Sequence, residues 1–573
     1  MAIEESFLKS VFYGAIPEEM IFPYPELGRD ARESTALILE SVREFARREI
    51  DPAAIDRDAA IPERVLVGLK ELGLFGATIP TEYGGAGLNA TSFARLMQEL
   101  SGIDASVAVT VGAHLSLGAK GLCLFGSEAQ RRAYLPRLAR GEIVAAFALT
   151  EPGAGSDAAN IQTRATLQPG GAKYSLEGHK IWITNGGFAD LFTVFARTTA
   201  LDARAKPRLT ALLVERGYGV RSGPNEPKLG IRGSSTTSVY FDGITVPSGN
   251  VLGEAGKGFK VAMEVLNFGR LGLAAGCVGL ARKLVGLSVD RAQERRAFGR
   301  PIGEFGLIKD KIAGMMAETW ALESMVYLTT GLVDAKVPDW SLESAVCKIF
   351  GSEMLWRTVN ESLQIAAGIG YMQAFPYERT LRDARINLIF EGTNEILRAF
   401  VALSGMQGPG RQLSEVARAV REPIKGFGLL SDFAIQRARS ALGRERLGRA
   451  HSLLRREAVL LEEHVALFAK NVDRVLRRHG REIAEMQFTQ RRVADLVCDL
   501  YALAACISRT TRAIERKGEA GARREIELTN TFAHMAERRL QRNAQAFDAN
   551  DDELRKGVAT QTYLDGGYTF DVL

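Results

Sequence analysis

The amino-acid sequence predicts a mostly helical α+β protein in which a helical segment, a β segment and two further helical segments follow one another. Apolar residues recur three and four positions apart over about residues 31–145 and 256–405, the spacing of helices that bury one face. Between these segments the spacing falls to two, which is typical of strands. The chain has 573 residues, too many for a single hydrophobic core, so several domains are expected.

The N-terminal part begins with an arm. Residues 1–30, which include the run FPYPELG, are expected to be irregular because proline interrupts helices and strands. Residues 31–145 are predicted to form an N-terminal α domain. Within it Pro62 precedes a helical pattern over residues 63–74, and Gly76 marks the end of that helix.

The rest of the chain divides into three further parts. Residues 146–255 are predicted to form a β-barrel-like middle domain, with Glu177-Gly178 as a candidate turn and Asp242-Gly243 as a hairpin signal. The long helical patterns of residues 256–405 suit an antiparallel four-helix bundle. The run GMQGPG at residues 405–410 is a candidate linker to an additional helical domain, residues 411–573.

Composition narrows the class of protein. Hydrophobic residues make up 46% and charged residues 25%, an ordinary soluble composition. The net charge of +5 is small for this size and does not itself imply a nucleic-acid partner, so none is expected. The five cysteines lack a C-x-x-C pair, which favours a reducing compartment, and the six histidines lack metal-ligand spacing, so no metal is expected. With no signal or transit pattern and no apolar run near 18 residues, a cytoplasmic protein without a membrane span is expected.

One stretch, LIFEGTNEILR at residues 388–398, carries the candidate catalytic residue. Glu391 follows three apolar residues, so its carboxylate loses solvation, its pKa rises, and it becomes a usable base near neutral pH. Gly392 lets a ligand approach the backbone closely. The next three residues, TNE, open a helix. On these eleven residues alone, a carboxylate that merely caps this helix is an equally good interpretation.

Several motifs together resemble the acyl-CoA dehydrogenase family. They are the base segment within residues 376–407, the run ALTEPGAGSD at 148–157 and the run KIWITNGG at 180–187. The order of helical, β and helical domains agrees with this resemblance, and the additional C-terminal domain makes the very-long-chain branch the most similar. The G-x-G-x-x-A pattern at residues 153–158 is not interpreted as a Rossmann fingerprint, because no apolar-periodic helix follows it.

The resemblance implies FAD as the cofactor and assigns residues to it. The residues that match the family's cofactor contacts are Phe147, Leu149, Thr150, Ser156, Trp182, Thr184, Arg295, Phe298, Gln364, Gly368, Thr393 and Glu395. Trp182 and Thr184 are two positions apart and so face the same side of a strand, where an indole can cover a flavin ring. Two departures from the family pattern, Ala297 and Ala367, put individual contacts in doubt.

The same resemblance assigns the substrate site. The residues that match it are Ser156, Ala108, Gly112, Asn267, Arg270 and Gly392. Arg270 aligns with the arginine beside the catalytic glutamate. Some branches carry their base at the position of Gly269, and a glycine cannot serve, which leaves Glu391 as the candidate base.

The activity implied is FAD-dependent α,β-dehydrogenation of a long- or very-long-chain fatty acyl-CoA to the trans-2-enoyl-CoA. Glu391 removes the α-proton, and its backbone N–H helps to stabilise the thioester oxygen. Electrons pass to electron-transfer flavoprotein, and the FAD site is shared between the subunits of a homodimer. Three alternatives within the superfamily stay open: an acyl-CoA oxidase, a DNA-binding alkylation-response flavoprotein, and a respiratory-complex assembly factor.

Two regions bear on substrate length and location. Ala108 and Gly112 are four positions apart on one helix face and are small, which predicts a deeper cleft for acyl chains beyond about C14. Close helix packing is the alternative explanation. Residues 411–456 are strongly basic, and an amphipathic stripe flanked by Arg437, Arg439 and Arg444 suggests peripheral contact with an anionic membrane. A solvated basic face is the alternative there.

Overall fold

The computed structural model describes residues 6–199, 208–421 and 446–572. It divides into two compact units. The larger one, Ile21–Ile396, is called the main unit. The other combines the chain up to Met20 with the chain from Leu397 onward and is called the terminal unit. The mostly helical α+β prediction is confirmed.

Short helices with well-defined caps begin the chain. Asp51, Asn89 and Asp104 each place a side-chain oxygen on the free N–H groups of the helix that follows, and Ser127 and Gln130 form a capping box. The helices are α1 (Phe7–Val11), α2 (Glu18–Ile21), α3 (Arg29–Glu49), α4 (Pro52–Asp58), α5 (Glu63–Glu71), α6 (Ala90–Ile103), α7 (Ala105–Gly112), a π-helix (Ala113–Ala119), α8 (Lys120–Phe125) and α9 (Glu128–Ala139).

A mixed eight-stranded sheet follows. Its strands are β1 (Ala145–Ala148), β2 (Arg164–Leu167), β3 (Lys173–Thr184), β4 (Leu191–Thr199), β5 (Arg208–Glu215), β6 (Arg221–Asn225), β7 (Thr236–Pro247) and β8 (Val251–Leu252). The order is β6-β7-β3-β2-β4-β5-β8, and β1 pairs with β4 in parallel. Alternating side chains of these strands fill a core of their own.

Both turns predicted inside this sheet are wrong. Strands β3 and β7 run without interruption through Glu177-Gly178 and Asp242-Gly243. Leu176 pairs with Ile244 and Glu177 with Asp242, so Gly243 is the extra residue of a β-bulge. Its φ of 70° explains the glycine, and the Asp-Gly pair therefore marks a kink rather than a chain reversal.

Long helices complete the main unit. They are α10 (Gly258–Glu294), α11 (Gly306–Asp334), α12 (Ser341–Ala366) and α13 (Pro376–Arg385), and the two-stranded hairpin β9 (Arg296–Ala297) and β10 (Arg300–Pro301) follows α10. Helix α10 packs closely on α6, because a Cβ atom on Gly279 would lie 1.8 Å from the Gln98 carbonyl oxygen. Gly279 is thus a contact position between the two helices, and only hydrogen fits there.

Two stretches among the described residues are long and apolar enough to cross a membrane by length and composition, Ala105–Phe125 and Gly258–Glu294. The expectation that no such run exists was therefore wrong. However, 72% and 67% of their most apolar windows are buried inside the protein. Burial of that extent is typical of core helices, and both stretches line the cavity described below.

Helix α14 (Asn394–Arg421) begins in the main unit and belongs to the terminal unit from Leu397 onward. The terminal unit also contains α15 (Arg455–His479), α16 (Gln487–Gly521), α17 (Arg523–Gln545) and α18 (Asp552–Asp565). The predicted linker at residues 405–410 is wrong, since α14 runs through it. A Cβ atom on Gly405 would meet the Phe12 ring at 2.1 Å, and one on Gly408 the Tyr13 hydroxyl at 2.2 Å. These glycines make room for aromatic side chains of the N-terminal segment.

The prediction of an irregular N-terminal arm is confirmed only in part, because two short helices interrupt it. It contains α1 and α2, and its rings pack within the terminal unit: Phe7 lies 5.9 Å from Tyr501 and Phe12 lies 5.0 Å from Phe468, measured between ring centroids. Of the predicted membrane-contacting segment, residues 422–445, with Arg437, Arg439 and Arg444, lie outside the described residues. Arg455 and Arg456, at its end, pair with Glu462 and Glu537.

Candidate active site

A cavity opens in the main unit between the α6–α7 region and α10, and it encloses about 780 Å³ of empty space when the open solvent at its mouth is included. Predicted substrate and catalytic residues meet there, because Ala108, Gly112 and Glu391 all line it. Thr184, predicted to contact the cofactor, lines it as well. Most of the remaining lining is apolar or glycine: Met97, Ala105, Val109, Ala113, Leu117, Ile231, Gly269, Gly272, Leu273, Gly276, Leu280, Leu355, Ile386 and Phe390.

Glu391 sits on a strained loop between α13 and α14. Its φ is 60°, a left-handed conformation that costs a non-glycine residue about 1–3 kcal/mol, and Gly392 follows with a φ of 93°. Glu391 Oε2 is buried and has no hydrogen-bond partner among the described residues. The Glu391 N–H likewise has no acceptor among them. Burial raises the pKa of Glu391 to about 7, although Arg270 and Lys348 oppose the rise.

Two cations hold this loop through its carbonyl groups. Arg270 Nε donates to the Glu391 carbonyl oxygen at 3.1 Å, and Arg270 Nη1 donates to Asn267 Oδ1 at 3.0 Å. Lys348 Nζ donates to the Gly392 carbonyl oxygen at 2.8 Å. Of the predicted substrate residues, Asn267, Arg270 and Gly392 therefore belong to the framework of the base loop.

Gly269 lies directly against the carboxylate of Glu391. A Cβ atom there would meet Glu391 Oε2 at 2.8 Å and Leu117 Cδ2 at 2.8 Å. Position 269 on α10 and position 391 on the loop thus point at the same small volume. Leu117 belongs to the π-helix, a rare element that is frequent at functional sites. A side chain at position 269 would therefore reach the place that the Glu391 carboxylate occupies.

The two predicted flavin motifs are joined to each other. Ile181 N–H on β3 donates to the Thr150 carbonyl oxygen at 3.0 Å. Lys180 Nζ donates to the Leu149 carbonyl oxygen at 3.0 Å and to Glu151 Oε1 at 2.7 Å. Lys180 and Glu151 are both buried. This buried tie fixes the 148–157 loop against the strand that carries Trp182 and Thr184.

Trp182 occupies a bulge of β3. The register with β7 shifts between Lys180 and Ile183, and Trp182 has a φ of 56°. Its side chain is 63% exposed, which is unusual for an indole, while Thr184 two positions on lines the cavity. Of the other residues of these two motifs, Leu149 is buried, Phe147 and Thr150 are half-buried, and Ser156 is exposed.

The remaining predicted cofactor residues do not line this cavity. Arg295 is exposed at the end of α10, and Phe298, 94% exposed, forms with Gly299 the turn of the β9–β10 hairpin. Gln364 and Gly368 are exposed near the end of α12. Thr393 is half-buried and Glu395 exposed beside the base loop.

Ala367 stands in a conformation that favours glycine. Its φ is 55° and its ψ is −134°. The departure from the family's glycine noted in the sequence therefore falls at a strained position, with a cost of about 1–3 kcal/mol.

Other residues of the site were not found from the sequence. Lys348 is a lone cation in the apolar run AVCKIF, and that isolation was the available signal for a buried functional group. The π-helix has no sequence signal that periodicity detects. Among the described residues, no group of three or more His, Cys, Asp or Glu is arranged to hold a metal ion.

Asp383 is a second titratable group of the cavity that sequence reasoning missed. Burial raises its pKa to about 7, as it does for Glu391. However, Asp383 accepts a hydrogen bond from the Ile231 N–H, so its carboxylate is tied to the backbone. Glu391 Oε2 has no such partner in the part of the chain that the structure describes. The geometry therefore favours Glu391 as the group that takes up a proton from a ligand.

Family models cover most of the chain. Models of the acyl-CoA dehydrogenase N-terminal, middle and C-terminal domains match residues 32–142, 146–244 and 256–406. A model of the ACAD9/ACADV C-terminal domain matches residues 452–563. The Gly153–Ala158 pattern falls within the middle-domain match, and a 3₁₀ turn and strand β2 follow it, so the rejection of a Rossmann loop is confirmed.

Individual relatives agree with these matches. The human mitochondrial very long-chain specific acyl-CoA dehydrogenase is 43% identical over 558 residues, which is 96% of this chain and 85% of that protein. A solved Bacillus anthracis acyl-CoA dehydrogenase in complex with FAD has a TM-score of 0.79 at 33% identity, covering 98% of this chain and 96% of its own. A chain from the solved electron transferring flavoprotein of Acidaminococcus fermentans has a TM-score of 0.62 at 36% identity, covering 66% and 98%.

Proposed function

This chain belongs to the acyl-CoA dehydrogenase family, and on that premise we propose that it is the FAD-dependent dehydrogenase of long- and very-long-chain fatty acyl-CoA thioesters. The reaction removes a proton from Cα and a hydride from Cβ and leaves the trans-2-enoyl-CoA. The observation that carries the proposal is the buried Oε2 of Glu391, which has no hydrogen-bond partner among the described residues and lies at the wall of an apolar cavity.

Glu391 has the properties that proton removal next to a thioester needs. Its pKa of about 7 leaves a large fraction ionised near neutral pH while keeping it basic enough to take the α-proton. Its own N–H, which has no acceptor among the described residues, is available to the thioester oxygen as negative charge develops there. One residue thus offers both a base and an oxyanion donor.

The residues of the two joined motifs fit FAD. A largely exposed indole in a strained bulge, two positions from a hydroxyl that lines the cavity, would suit contact with a flat aromatic ring. When bound, FAD supplies the acceptor for the β-hydride, which no side chain provides. Trp182, Thr184, Leu149 and Thr150 would hold it from the strand and the loop that Lys180 ties together.

The cavity supports a long acyl chain. Along α10 the lining residues Gly269, Gly272 and Gly276 present no side chain, and Ala108 and Gly112 face them from α7. A Cβ atom on Gly112 would meet only the flexible end of Met97, at 2.9 Å. Each further methylene that enters such a cleft contributes up to about 0.8 kcal/mol.

Anaerobic titration with saturated acyl-CoAs of graded length tests this proposal directly. Bleaching of the flavin absorbance should be fastest with chains beyond about C14. Gly112→Glu should shift the optimum toward shorter chains, whereas Gly286→Ala, at an open position of α10, should leave it unchanged. An unchanged profile in the first variant rejects the pocket assignment, and no bleaching by any acyl-CoA rejects the function. Turnover with oxygen and steady peroxide formation would instead identify an oxidase.

The family implies electron-transfer flavoprotein as the electron acceptor. A homodimer with shared FAD sites is part of the proposal, and the exposure of Arg295, Phe298, Gln364 and Gly368 in the single chain supports it. Sedimentation of the holoenzyme tests the dimer, and a monomer that retains FAD would contradict it.

We propose a cytoplasmic protein in peripheral contact with the inner face of the membrane through residues 411–456. The support is the excess of arginine and lysine in this segment. Wild type should sediment with anionic liposomes at low salt, and the variant with Arg437, Arg439 and Arg444 changed to Glu should not. Equal sedimentation of both proteins would reject the contact.

A further inference from the structure

Lys348 is a lysine whose ammonium group is buried among the long helices of the main unit, which is unusual for a cation. Its exposed fraction is 0%, and it lies in the middle of α12, on a different element from the base loop. Burying an ammonium group is costly unless it is paired and hydrogen-bonded. Lys348 Nζ donates two hydrogen bonds to the loop that carries the base and to the helix start that follows it. The acceptors are the Gly392 carbonyl oxygen and Asn394 Oδ1, both at 2.8 Å.

Asn394 extends this connection. Its Nδ2 donates to Ser352 Oγ at 3.0 Å and to Glu353 Oε1 at 3.2 Å, both on α12. The amide group of Asn394 is thereby oriented with its oxygen toward Lys348. The start of α14 is fastened to α12 on one side of the base loop, while Arg270 on α10 holds the Glu391 carbonyl from the other.

We propose that Lys348 is a positioning residue for the dehydrogenation: together with Arg270 it grips two successive carbonyl groups, keeps Glu391 in its left-handed conformation, and biases the carboxylate toward the ionised form. Strain of about 1–3 kcal/mol at Glu391 persists only where the surroundings over-determine the backbone, and two cations from two helices do so. The inference deepens the proposed function, on which it rests.

Electrostatics point the same way. The charged and titratable groups around the base are Arg270 and Cys277 from α10, Lys348 and Glu353 from α12, Asp383 from α13, which lines the same cavity, and Glu395 from α14. Burial raises the pKa of Glu391, and Arg270 and then Lys348 oppose that rise. Burial also lowers the pKa of Lys348 to about 8, so it is largely protonated at neutral pH. Loss of Lys348 must therefore raise the pKa of the base.

The test is the pH profile of flavin reduction by a long-chain acyl-CoA, followed in single turnover with the FAD-loaded enzyme. Lys348→Met removes both the charge and the donors at similar length. Lys348→Gln keeps a donor for the Gly392 carbonyl but no charge. Lys311→Met is the matched control, because Lys311 also ties α12 to a neighbour, through Glu361, but makes no contact with the base loop.

In both Lys348 variants the acid limb of the profile should move to higher pH, so that the rate at pH 6 falls on the order of tenfold more than the rate at pH 9. At pH 9 Glu391 is ionised in both variants, so its protonation no longer limits the rate. Flavin reduction should then be slower in Lys348→Met than in Lys348→Gln, because only glutamine can donate to the Gly392 carbonyl oxygen. Lys311→Met should keep the wild-type profile. Folded, FAD-loaded Lys348 variants with an unmoved acid limb overturn the proposal.

Loss of the folded holoenzyme in both Lys348 variants, with Lys311→Met intact, would also overturn it, because the role would then be structural. Failure of the proposed function gives a different result. In that case the wild-type flavin is not reduced by any acyl-CoA, whatever residue stands at position 348.

Discussion

Two glutamates of the main unit, Glu151 and Glu391, have buried carboxylate oxygens in opposite environments. Glu151, in the loop that carries the flavin motif, accepts hydrogen bonds from Lys180 Nζ and from the N–H groups of Gln162 and Thr163. Glu391, in the base loop, has an Oε2 with no partner among the described residues. Both carboxylates lose hydrogen bonds to water on folding, and only the Glu151 carboxylate receives hydrogen bonds from protein donors in their place.

The pKa values of the two carboxylates consequently shift in opposite directions. Burial by itself raises the pKa of Glu151, but Lys180 and the backbone donors outweigh it and lower the pKa below its ordinary value. For Glu391, burial dominates and the pKa rises to about 7. A buried carboxylate thus keeps a raised pKa, and can act as a base, when the nearby cations donate their hydrogen bonds to backbone carbonyl groups and not to the carboxylate oxygens. Arg270 and Lys348 do this, whereas Lys180 bonds the carboxylate itself.

Removal of the base tests one side of this comparison and should have the largest effect. Glu391→Gln keeps the size of the side chain but cannot accept a proton, so we expect flavin reduction to slow by about 10²- to 10⁴-fold. FAD content and acyl-CoA binding should be retained. A variant with a tenth of the wild-type rate would remove Glu391 from the role.

The same variant should also be more stable above neutral pH. The pKa of Glu391 is higher in the folded protein than in the unfolded chain. At any pH above the unfolded pKa, ionisation of Glu391 therefore destabilises the folded protein, and glutamine avoids that cost. The gain in thermal midpoint of Glu391→Gln should be present at pH 8 and should vanish as the pH falls toward 4. A gain independent of pH would separate the stability effect from ionisation.

Removal of the paired carboxylate tests the other side. Glu151→Gln leaves the buried Lys180 without an anionic partner, which costs about 3–5 kcal/mol and should lower the thermal midpoint by about 5 °C or more. The loop should also release FAD more readily. Glu142→Gln is the control, since its ion pair with Arg140 is exposed and contributes little. Equal midpoints for the two variants would contradict the structural role of Glu151.

Crowding the base sharpens the comparison with a smaller change. Gly269→Ala places a methyl group 2.8 Å from Glu391 Oε2, so the carboxylate must shift by a few tenths of an ångström. We expect flavin reduction to slow by about ten- to a hundredfold with FAD retained. Gly286→Ala on the same helix meets no atom within 4 Å and should be silent. Wild-type rates for both would show that the carboxylate has room to spare.

The sequence was sufficient for the order of helical and β segments and for selecting Glu391 as a candidate that lies at the cavity, since both depend on local patterns: period, apolar neighbours and recognisable motifs. It failed where a residue's role depends on a distant neighbour. Gly405 and Gly408 are read as chain breakers from composition, yet in α14 they accommodate Phe12 and Tyr13. Gly243 is read as a turn but forms a bulge, because the opposite strand β3 continues past it.

Lys348 was missed for the same reason. A lone lysine within an apolar helical run carries no period, and its partners Gly392 and Asn394 lie more than forty positions away. Likewise, the pairing of Lys180 with Glu151 joins two motifs that were identified separately. Motif reading identifies the parts of this site, but the forces that set their proton affinities are contacts between the parts.

The packing of the N-terminal segment has a consequence for biosynthesis. Phe7 and Phe12 leave the ribosome more than 450 residues before their respective partners Tyr501 and Phe468. At ~5–20 residues per second, these rings wait roughly 20–90 s before their binding surface exists. During translation the main unit can fold around its own core while the first helix remains exposed, so this segment is where a nascent-chain chaperone would find an apolar target.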